Sequence, residues 1–160
     1  METIWSPWRM EYIDNSEKTP GCVFCREVAR KDGPDNLIVA RGQHAFTILN
    51  RYPYTSGHLM VVPYSHLSNL EELDAATRAE IMEMATRAVD VLRAVYHPEG
   101  FNLGINLGSA AGAGIADHVH LHVVPRWTGD TNFMSTVSGT RVIPEDLPST
   151  YARIRTAWER

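Results

Sequence analysis

The sequence predicts an α+β domain with a mostly antiparallel sheet of about five strands, one long helix and one or two shorter helices. Two observations carry this prediction. Five short runs have the apolar or alternating pattern of β-strands, and one long segment with helical spacing lies between the third run and the fourth. Strands with a single long helix among them favour an α+β domain. The length of 160 residues is typical of one domain.

The composition excludes several classes of protein. Hydrophobic residues make up 44% of the chain and charged residues 21%, as in globular proteins and unlike disordered or fibrous ones. The net charge of −4 argues against general binding to nucleic acid polymers or to membranes. No apolar run approaches the ~18 residues of a transmembrane helix, and the first residues lack the features of a signal peptide. With only two cysteines, close together in the chain, we expect a cytoplasmic protein.

The first three strands are predicted between residues 37 and 63. Residues 37–40 and 45–49 are short β-type runs separated by four residues, a spacing that suits a hairpin. A loop over residues 52–57 follows. Residues 58–62 then form a third strand, which ends at Pro63 because proline cannot donate a ladder hydrogen bond.

The long helix is predicted over residues 75–96. Ser68 with Glu71 fits a capping box, and Asp74 is a second candidate for the N-cap. Pro98, followed by Glu99 and Gly100, ends the pattern. The apolar residues at helical spacing are Ile81, Met84, Ala85, Ala88, Val91, Leu92 and Val95.

Two more strands and a final helix complete the prediction. Residues 101–107 and 118–124 read as strands, and the Gly/Ala-rich segment 108–114 joins them. The pattern weakens from residue 130 onward, and the last helix is expected over residues 148–158.

Three histidines alternate with apolar residues in the last strand. His118, His120 and His122 would share one face, while the residues between them face the core. The histidines could bind a metal, but the outer two would lie about 13 Å apart on a strand, too far to share one ion. Alternatively, one histidine is a nucleophile and its neighbours bind phosphate, since a neutral imidazole is nucleophilic at neutral pH. The glycine-rich loop just before the strand favours this second interpretation, because its backbone N–H groups can face a phosphate.

The segment from His118 to Val124 resembles the His-φ-His-φ-His-φ-φ signature of the histidine-triad family of nucleotide hydrolases and transferases, where φ is an apolar residue. The resemblance extends over about residues 21–127. The further segments that carry it are Leu49-Asn50, Gly57-His58-Leu59-Met60-Val61-Val62-Pro63, Asn106-Leu107-Gly108 and Pro125-Arg126-Trp127. The flanks resemble the bacterial diadenosine-tetraphosphate phosphorylase branch of that family; they are Trp5-Ser6-Pro7-Trp8-Arg9-Met10 and Gly129-Asp130-Thr131-Asn132-Phe133.

The resemblance implies a role for each matching residue. His120 would attack an α-phosphate and form a nucleotidyl-histidine intermediate, while His122 and His58 would hold phosphate oxygens. Asn50 would bind the ribose hydroxyls. The remaining substrate contacts implied are Asn106 and Ser109 to phosphate, Val23, Phe24 and Ile48 to the base, and Trp127 near the substrate.

One position departs from the family pattern. Family members usually carry Gln, Ser or Thr three or four residues before the first histidine, and this chain has Gly114 and Ile115 there. Backbone N–H groups near Gly114 could bind phosphate instead. The missing hydroxyl leaves open whether water or inorganic phosphate is the second nucleophile.

The pair Cys22 and Cys25 has the spacing of a zinc site, which needs two further ligands. A redox pair and two free buried thiols are the alternatives. Similarity to some bacterial histidine-triad proteins implies that His66 and His118 complete a structural zinc site.

The leading prediction is cleavage of a dinucleoside polyphosphate at an α-phosphate, through a nucleotide attached to His120. The alternatives are a purine nucleoside phosphoramidate hydrolase and a non-catalytic, zinc-stabilised nucleotide-binding protein. The resemblance implies a homodimer, with tetramers left open. The expected division is an arm over residues 1–20, the domain over 21–127 and an extension over 128–160 packed on that domain. We expect the arm to pack its aromatic residues, Trp5, Trp8 and Tyr12, on the domain or on a partner subunit.

Overall fold

The computed structural model describes residues 21–130 and 143–160, and the predicted α+β fold is confirmed. Five antiparallel strands form one sheet in the order β1-β2-β3-β5-β4. In chain order the elements are α1 (Val23–Val28), β1 (Ile38–Arg41), β2 (Ala45–Leu49), β3 (Leu59–Pro63), α2 (Ala75–Tyr96), β4 (Gly100–Ile105), β5 (Leu121–Arg126) and α3 (Leu147–Trp158). Two short 3₁₀ turns are added at Leu70–Glu72 and Ser109–Ala111.

The predicted arm, with Trp5, Trp8 and Tyr12, lies outside the described residues, as does part of the flank that begins at Gly129. The described helices include none with the length and hydropathy needed to cross a membrane.

The histidine-bearing strand is shorter than predicted. Strand β5 begins at Leu121, which pairs with Val61 of β3, and not at residue 118. Continuing this antiparallel register would bring Pro63 opposite Val119, and proline has no N–H to donate. The N–H of Val119 donates instead to the carbonyl of Leu67 at 2.7 Å, and the carbonyl of Pro63 accepts from the His118 ring at 2.9 Å. Residues 118–120 therefore lie outside the ladder.

The long helix α2 has the predicted bounds. The carboxylate of Asp74 accepts the backbone N–H of Thr77 at 2.7 Å, as expected of an N-cap. The helix ends at His97, whose φ of 49° is left-handed, just before Pro98. The capping box predicted for Ser68 with Glu71 is wrong. Asn69 and Glu72 form it one residue later and cap the 3₁₀ turn, because the chain turns once before α2 begins.

Helix α1 was not predicted. It has six residues, and Cys22 is its N-cap. The last helix, α3, begins at Leu147, one residue earlier than predicted, where the carboxylate of Asp146 accepts the N–H of Ser149 at 2.8 Å.

The core lies between the sheet and two helices. Helix α2 packs on β2, β3 and β5, while α3 packs on α2 and β1. Buried side chains from every layer meet there; they include Leu49, Val61, Ala85, Leu92, Val123 and Ile154. The carboxylate of Glu80 on α2 accepts the N–H of Gln43 at 2.7 Å and that of His44, which fixes the β1–β2 turn to the helix.

Candidate functional site

Three of the predicted histidines meet beside the start of β3 and β5. His122 lies on β5 opposite Met60, and His58 immediately precedes β3. The His122 ring centroid is 4.8 Å from that of His120 and 5.1 Å from that of His58. In the structure His58 and His120 are 0% and 4% exposed, and His122 alone of these three is partly exposed.

Backbone groups assign the proton positions on His58 and His122. The N–H of Tyr54 can only donate, and it lies 3.1 Å from Nδ1 of His58, so that nitrogen is the acceptor. The proton of neutral His58 is therefore on Nε2, which donates to Nδ1 of His122 at 2.9 Å. It follows that neutral His122 carries its own proton on Nε2. Burial and the nearby His120 lower the pKa of His122 to about 4, so its ring is neutral at pH 7.

His120 has the opposite tautomer. Its Nδ1 lies 2.8 Å from the carbonyl oxygen of His118, which can only accept, so Nδ1 carries the proton. Nε2 of His120 then has a lone pair. Burial lowers the pKa of His120 and outweighs the hydrogen bond to His118, which raises it. The result is a neutral imidazole with a nucleophilic nitrogen.

The loop before β3 sets the position of His58. Gly57 has a φ of +78°, and a Cβ at this position would lie 2.9 Å from the Leu92 side chain. The hydroxyl of Thr55 donates to the carbonyl of Pro125 at 2.9 Å, and the N–H of His58 donates to the carbonyl of Thr55 at 3.2 Å. Glycine is needed here both for the backbone conformation and for the close approach to α2.

Asn50 is the predicted ribose ligand, and it lies next to His58. Its side-chain oxygen accepts the N–H of Tyr52 at 2.9 Å. Its amide nitrogen lies 3.4 Å from Nδ1 of His58 and is oriented to donate to it. Asn50 is half-buried, so its role as a ribose ligand stays a prediction.

The predicted base contacts are mostly buried. Phe24 is 2% exposed and Ile48 is 5% exposed, while Val23 is half-buried. The Phe24 ring faces His118 and His120, with centroids 5.4 and 5.0 Å away, rather than solvent. Contact of these side chains with a base stays a prediction.

The roles of the remaining predicted substrate residues, Asn106, Ser109, Gly114 and Trp127, stay predictions. In the part of the chain that the structure describes, Asn106, Ser109, Gly114 and Trp127 make no hydrogen bond or ring contact with His120 or His122. Asn106 and Trp127 are half-buried, whereas Ser109 and Gly114 are exposed. Three N–H groups of the loop, those of residues 111–113, donate to carbonyls within the loop. The prediction that this loop presents N–H groups to a phosphate stays a prediction.

Tyr54 also contacts these histidines and was not predicted from the sequence. Its ring lies 4.6 Å from that of His58 and 6.0 Å from that of His122, and its N–H fixes the His58 tautomer. The available signal was an aromatic residue in a tight loop ending in Gly57, immediately before a histidine.

The four predicted metal ligands come together. Ligand atoms of Cys22, Cys25, His66 and His118 all lie within 4.8 Å of one another. Nδ1 of His118 is 3.3 Å from Sγ of Cys22 and 3.2 Å from Nδ1 of His66, and Sγ of Cys25 is 3.4 Å from Nδ1 of His66. Nε2 of His118 donates to the carbonyl of Pro63, so Nδ1 has the free lone pair.

These distances fit tetrahedral zinc. Bonds of about 2.1 Å to nitrogen and 2.3 Å to sulfur give edges of roughly 3.4 Å between nitrogens and 3.6 Å between nitrogen and sulfur. Burial raises the pKa of Cys22, but its interaction with His118 and hydrogen bonds from backbone N–H groups outweigh burial and lower the pKa to about 6. Burial and the neighbouring Cys22 raise the pKa of Cys25. We call these four residues the metal group.

Comparison with known proteins gives three findings. The model of the HIT domain matches residues 31–129. The chain is 42% identical over 168 aligned residues to a protein named AP-4-A phosphorylase from Mycobacterium tuberculosis, covering 100% of this chain and 86% of the relative. It is 28% identical over 106 residues to "Protein hit" of Bacillus subtilis, covering 66% of this chain and 71% of that one.

Two solved structures share the fold. One is a zinc-bound histidine triad family protein from Mycobacterium smegmatis, with a TM-score of 0.69 and 28% identity, covering 87% of this chain and 94% of that one. The other is a hypothetical histidine triad nucleotide-binding protein from Sulfolobus tokodaii, with a TM-score of 0.70 and 28% identity, covering 86% and 92% of the two chains.

Proposed function

Because the chain belongs to the HIT family, we propose that it is an enzyme that cleaves dinucleoside polyphosphates, such as diadenosine tetraphosphate, at an α-phosphate. The observation that carries the proposal is the tautomer of His120, whose Nδ1–H donates to a carbonyl and leaves Nε2 free to attack. The 42% identity to a protein named AP-4-A phosphorylase supports the substrate class.

The proposed reaction has two displacements at phosphorus. Nε2 of His120 attacks the α-phosphate, an N–P bond forms, and the P–O bond to the leaving nucleotide breaks with its electron pair on oxygen. The positive charge of the nucleotidyl imidazolium is stabilised by the carbonyl of His118, which already holds Nδ1–H. Water or phosphate then attacks the same phosphorus, and the N–P electron pair returns to Nε2.

His122 and His58 would stabilise the charge that develops on the phosphate. Nε2–H of His122 is the donor that remains after the bond from His58, so it can bind a phosphate oxygen. His122 is neutral at pH 7 and carries its proton on Nε2, so it can donate this hydrogen bond without a change of protonation state. In this proposal Asn50 contacts the ribose, Ile48 and Phe24 lie beneath the base, and Trp127 lies near the leaving group.

Replacement of the nucleophile tests the proposal. His120→Ala should reduce turnover of diadenosine tetraphosphate at least ~10³-fold while nucleotide binding is retained, since the nucleophile itself is lost. His44→Ala is the matched control, because His44 lies on the β1–β2 turn. Intact-mass spectrometry of the quenched wild-type reaction should show one added nucleotidyl group. Turnover by His120→Ala would contradict the nucleophile, and binding without any adduct or turnover would favour a non-catalytic nucleotide-binding protein.

The second nucleophile is proposed to be inorganic phosphate. The name of the relative supports phosphorolysis, and backbone N–H groups near Gly114 would replace the missing hydroxyl. Product analysis tests this proposal: ADP and ATP that appear only when phosphate is added indicate phosphorolysis. AMP and ATP formed without phosphate would indicate hydrolysis instead.

We propose that the metal group holds one structural zinc ion. Two thiolates and two neutral imidazoles are a typical tetrahedral donor set, and four protein ligands leave no open position for catalysis. The geometry of the four ligand atoms and the zinc-bound M. smegmatis structure support this proposal. Zinc would stabilise the fold by joining three distant parts of the chain.

We also propose a homodimer formed by pairing of sheet edges, with residues 1–20 as an arm and 128–160 as an extension of the domain. Strand β4 is an edge of the sheet, and its Leu103 is 45% exposed, which supports an interface there. Sedimentation as a stable monomer at micromolar concentration would contradict the dimer.

A further inference from the structure

We propose that Phe24 is a positioning residue for His120, and that the metal group acts on catalysis by holding helix α1, which carries Phe24. The inference rests on the proposed function in one respect, because it takes His120 as the nucleophile. The geometry that supports it joins the metal group to the nucleophile by two routes.

The first route is the packing of Phe24. Its ring is 2% exposed and lies edge-on to the His118 ring, with centroids 5.4 Å apart, and tilted against the His120 ring at 5.0 Å. The hydrogen bond from Nδ1 of His120 fixes one point of the imidazole. A single hydrogen bond allows the ring to swing about that point, and the packing of the Phe24 ring against the imidazole restricts this motion. Both contacts together define the direction of the Nε2 lone pair.

Helix α1 needs an anchor to hold Phe24 there. It has six residues, and isolated helices shorter than about 12 residues are marginal in water. Its N-cap, Cys22, forms no side-chain capping hydrogen bond. The side chains of Cys22 and Cys25, on either side of Phe24 in sequence, belong instead to the metal group. Ligation of both cysteines would therefore fix the first turn of the helix, and Phe24 with it.

The second route is the main chain of His118. Its Nδ1 belongs to the metal group, its Nε2 donates to the carbonyl of Pro63, and its own carbonyl accepts Nδ1–H of His120. The ring of His118 is 1% exposed and is fixed at both nitrogens once a metal is bound. The carbonyl that sets the His120 tautomer is thus held in place by the metal group.

A positioning role and a base contact predict different kinetics. If Phe24 only binds the base, its loss raises KM. If it positions His120, its loss lowers kcat with KM little changed, because the nucleophile is misdirected in the bound complex. A ring that only fills space would lower the melting temperature and change neither constant.

The experiment compares Phe24→Leu with Phe46→Leu. Phe46 is 1% exposed and lies on β2, and the ring contacts of the described residues place it against Tyr64 and against none of the histidines. The matched change therefore removes an equally buried ring that makes no ring contact with His120. Activity is measured with diadenosine tetraphosphate, zinc content by elemental analysis, and the His120 tautomer by long-range ¹H–¹⁵N spectra of the imidazole. We expect Phe24→Leu to lose about 10- to 100-fold in kcat with KM within twofold and zinc retained. Its His120 spectrum should show both tautomers, as should the wild-type protein after chelation of zinc.

Phe46→Leu should show a single Nδ1–H tautomer and wild-type kcat. The inference is overturned if Phe24→Leu matches Phe46→Leu in kcat and spectrum, or if KM alone rises. A wild-type protein that turns over no dinucleotide would refute the proposed function, but the tautomer comparison would still test the positioning role. If Phe24→Leu does not fold, Phe24→Met takes its place, because the flexible methionine side chain adapts better to an irregular gap in a core.

Discussion

Replacement of Gly57 by alanine should destabilise the fold and disturb His58 together. The backbone at Gly57 has a φ of +78°, and an added Cβ would lie 2.9 Å from a methyl of Leu92 and 3.2 Å from the Tyr96 ring. A left-handed φ costs a residue with a Cβ about 1–2 kcal/mol. Crowding of a packed core costs about 1–3 kcal/mol more. We therefore expect a loss of about 3 kcal/mol, within the combined range of about 2–5 kcal/mol.

The assay is thermal and urea unfolding, followed by steady-state kinetics. For a domain of 160 residues, the loss corresponds to a fall in Tm of about 6–12 °C. Two control variants separate the two causes. Gly129 has a φ of +79°, and within the described ranges 21–130 and 143–160 no atom lies within 4 Å of an added Cβ. Gly129→Ala should therefore lose only the free energy that the left-handed backbone costs. Gly33 has neither a left-handed φ nor a described atom within 4 Å of an added Cβ, so Gly33→Ala should leave the free energy of unfolding nearly unchanged. If Gly57→Ala costs no more than Gly129→Ala, the close approach to α2 contributes nothing and the reasoning is refuted.

Two further predictions concern pH and metal. The pKa of His122 is lowered to about 4 from an ordinary value near 6.5, so the unfolded chain binds more protons between these values and stability falls as pH drops through this window. The wild-type protein should lose about 2–3 kcal/mol between pH 7 and pH 4 relative to His122→Asn, measured by urea unfolding at several pH values; equal slopes would contradict the lowered pKa. The variant Cys22→Ser/Cys25→Ser should bind no zinc and melt several degrees earlier than the wild type, which should hold about one zinc per chain by elemental analysis. Wild-type protein that is active, free of metal and modified by thiol reagents at both cysteines would refute the zinc site.

Most of the fold could be predicted because its signals are local. The bounds of α2 follow from a cap at Asp74 and a stop before Pro98, both of which are read within a few residues. The start of β5 could not be predicted in this way. It depends on Pro63, a residue on another strand whose missing N–H ends the ladder. Helix α1 was missed because six residues are too few to show a period, and burial of Phe24 rather than local preference stabilises it.

The residues of the site also differ in whether local sequence signals or distant contacts determine them. Alternation in the sequence is enough to find His118, His120 and His122, and the apolar residues between them are buried as predicted. The proton positions could not be predicted, since they depend on the N–H of Tyr54 and the carbonyl of His118 as placed by the fold. These two groups leave His120 with a nucleophilic Nε2 and make His58 and His122 hydrogen-bond donors.

The metal group also has a consequence for the rate at which the chain folds. Cys22 and His118 are 96 positions apart, and strands β1 to β4 all lie between them. A metal held by these residues would close a loop that contains most of the sheet. A cross-link closing a loop of this length lowers the conformational entropy of the unfolded chain by an amount worth about 4–5 kcal/mol of stability at 25 °C. Closing the long loops between distant strands limits the folding rate of sheets with long-range pairing. If the unfolded chain keeps its metal, the largest of these loops is already closed. Refolding should therefore be faster from the metal-loaded unfolded chain than from the metal-free one, whichever native stability each finally reaches.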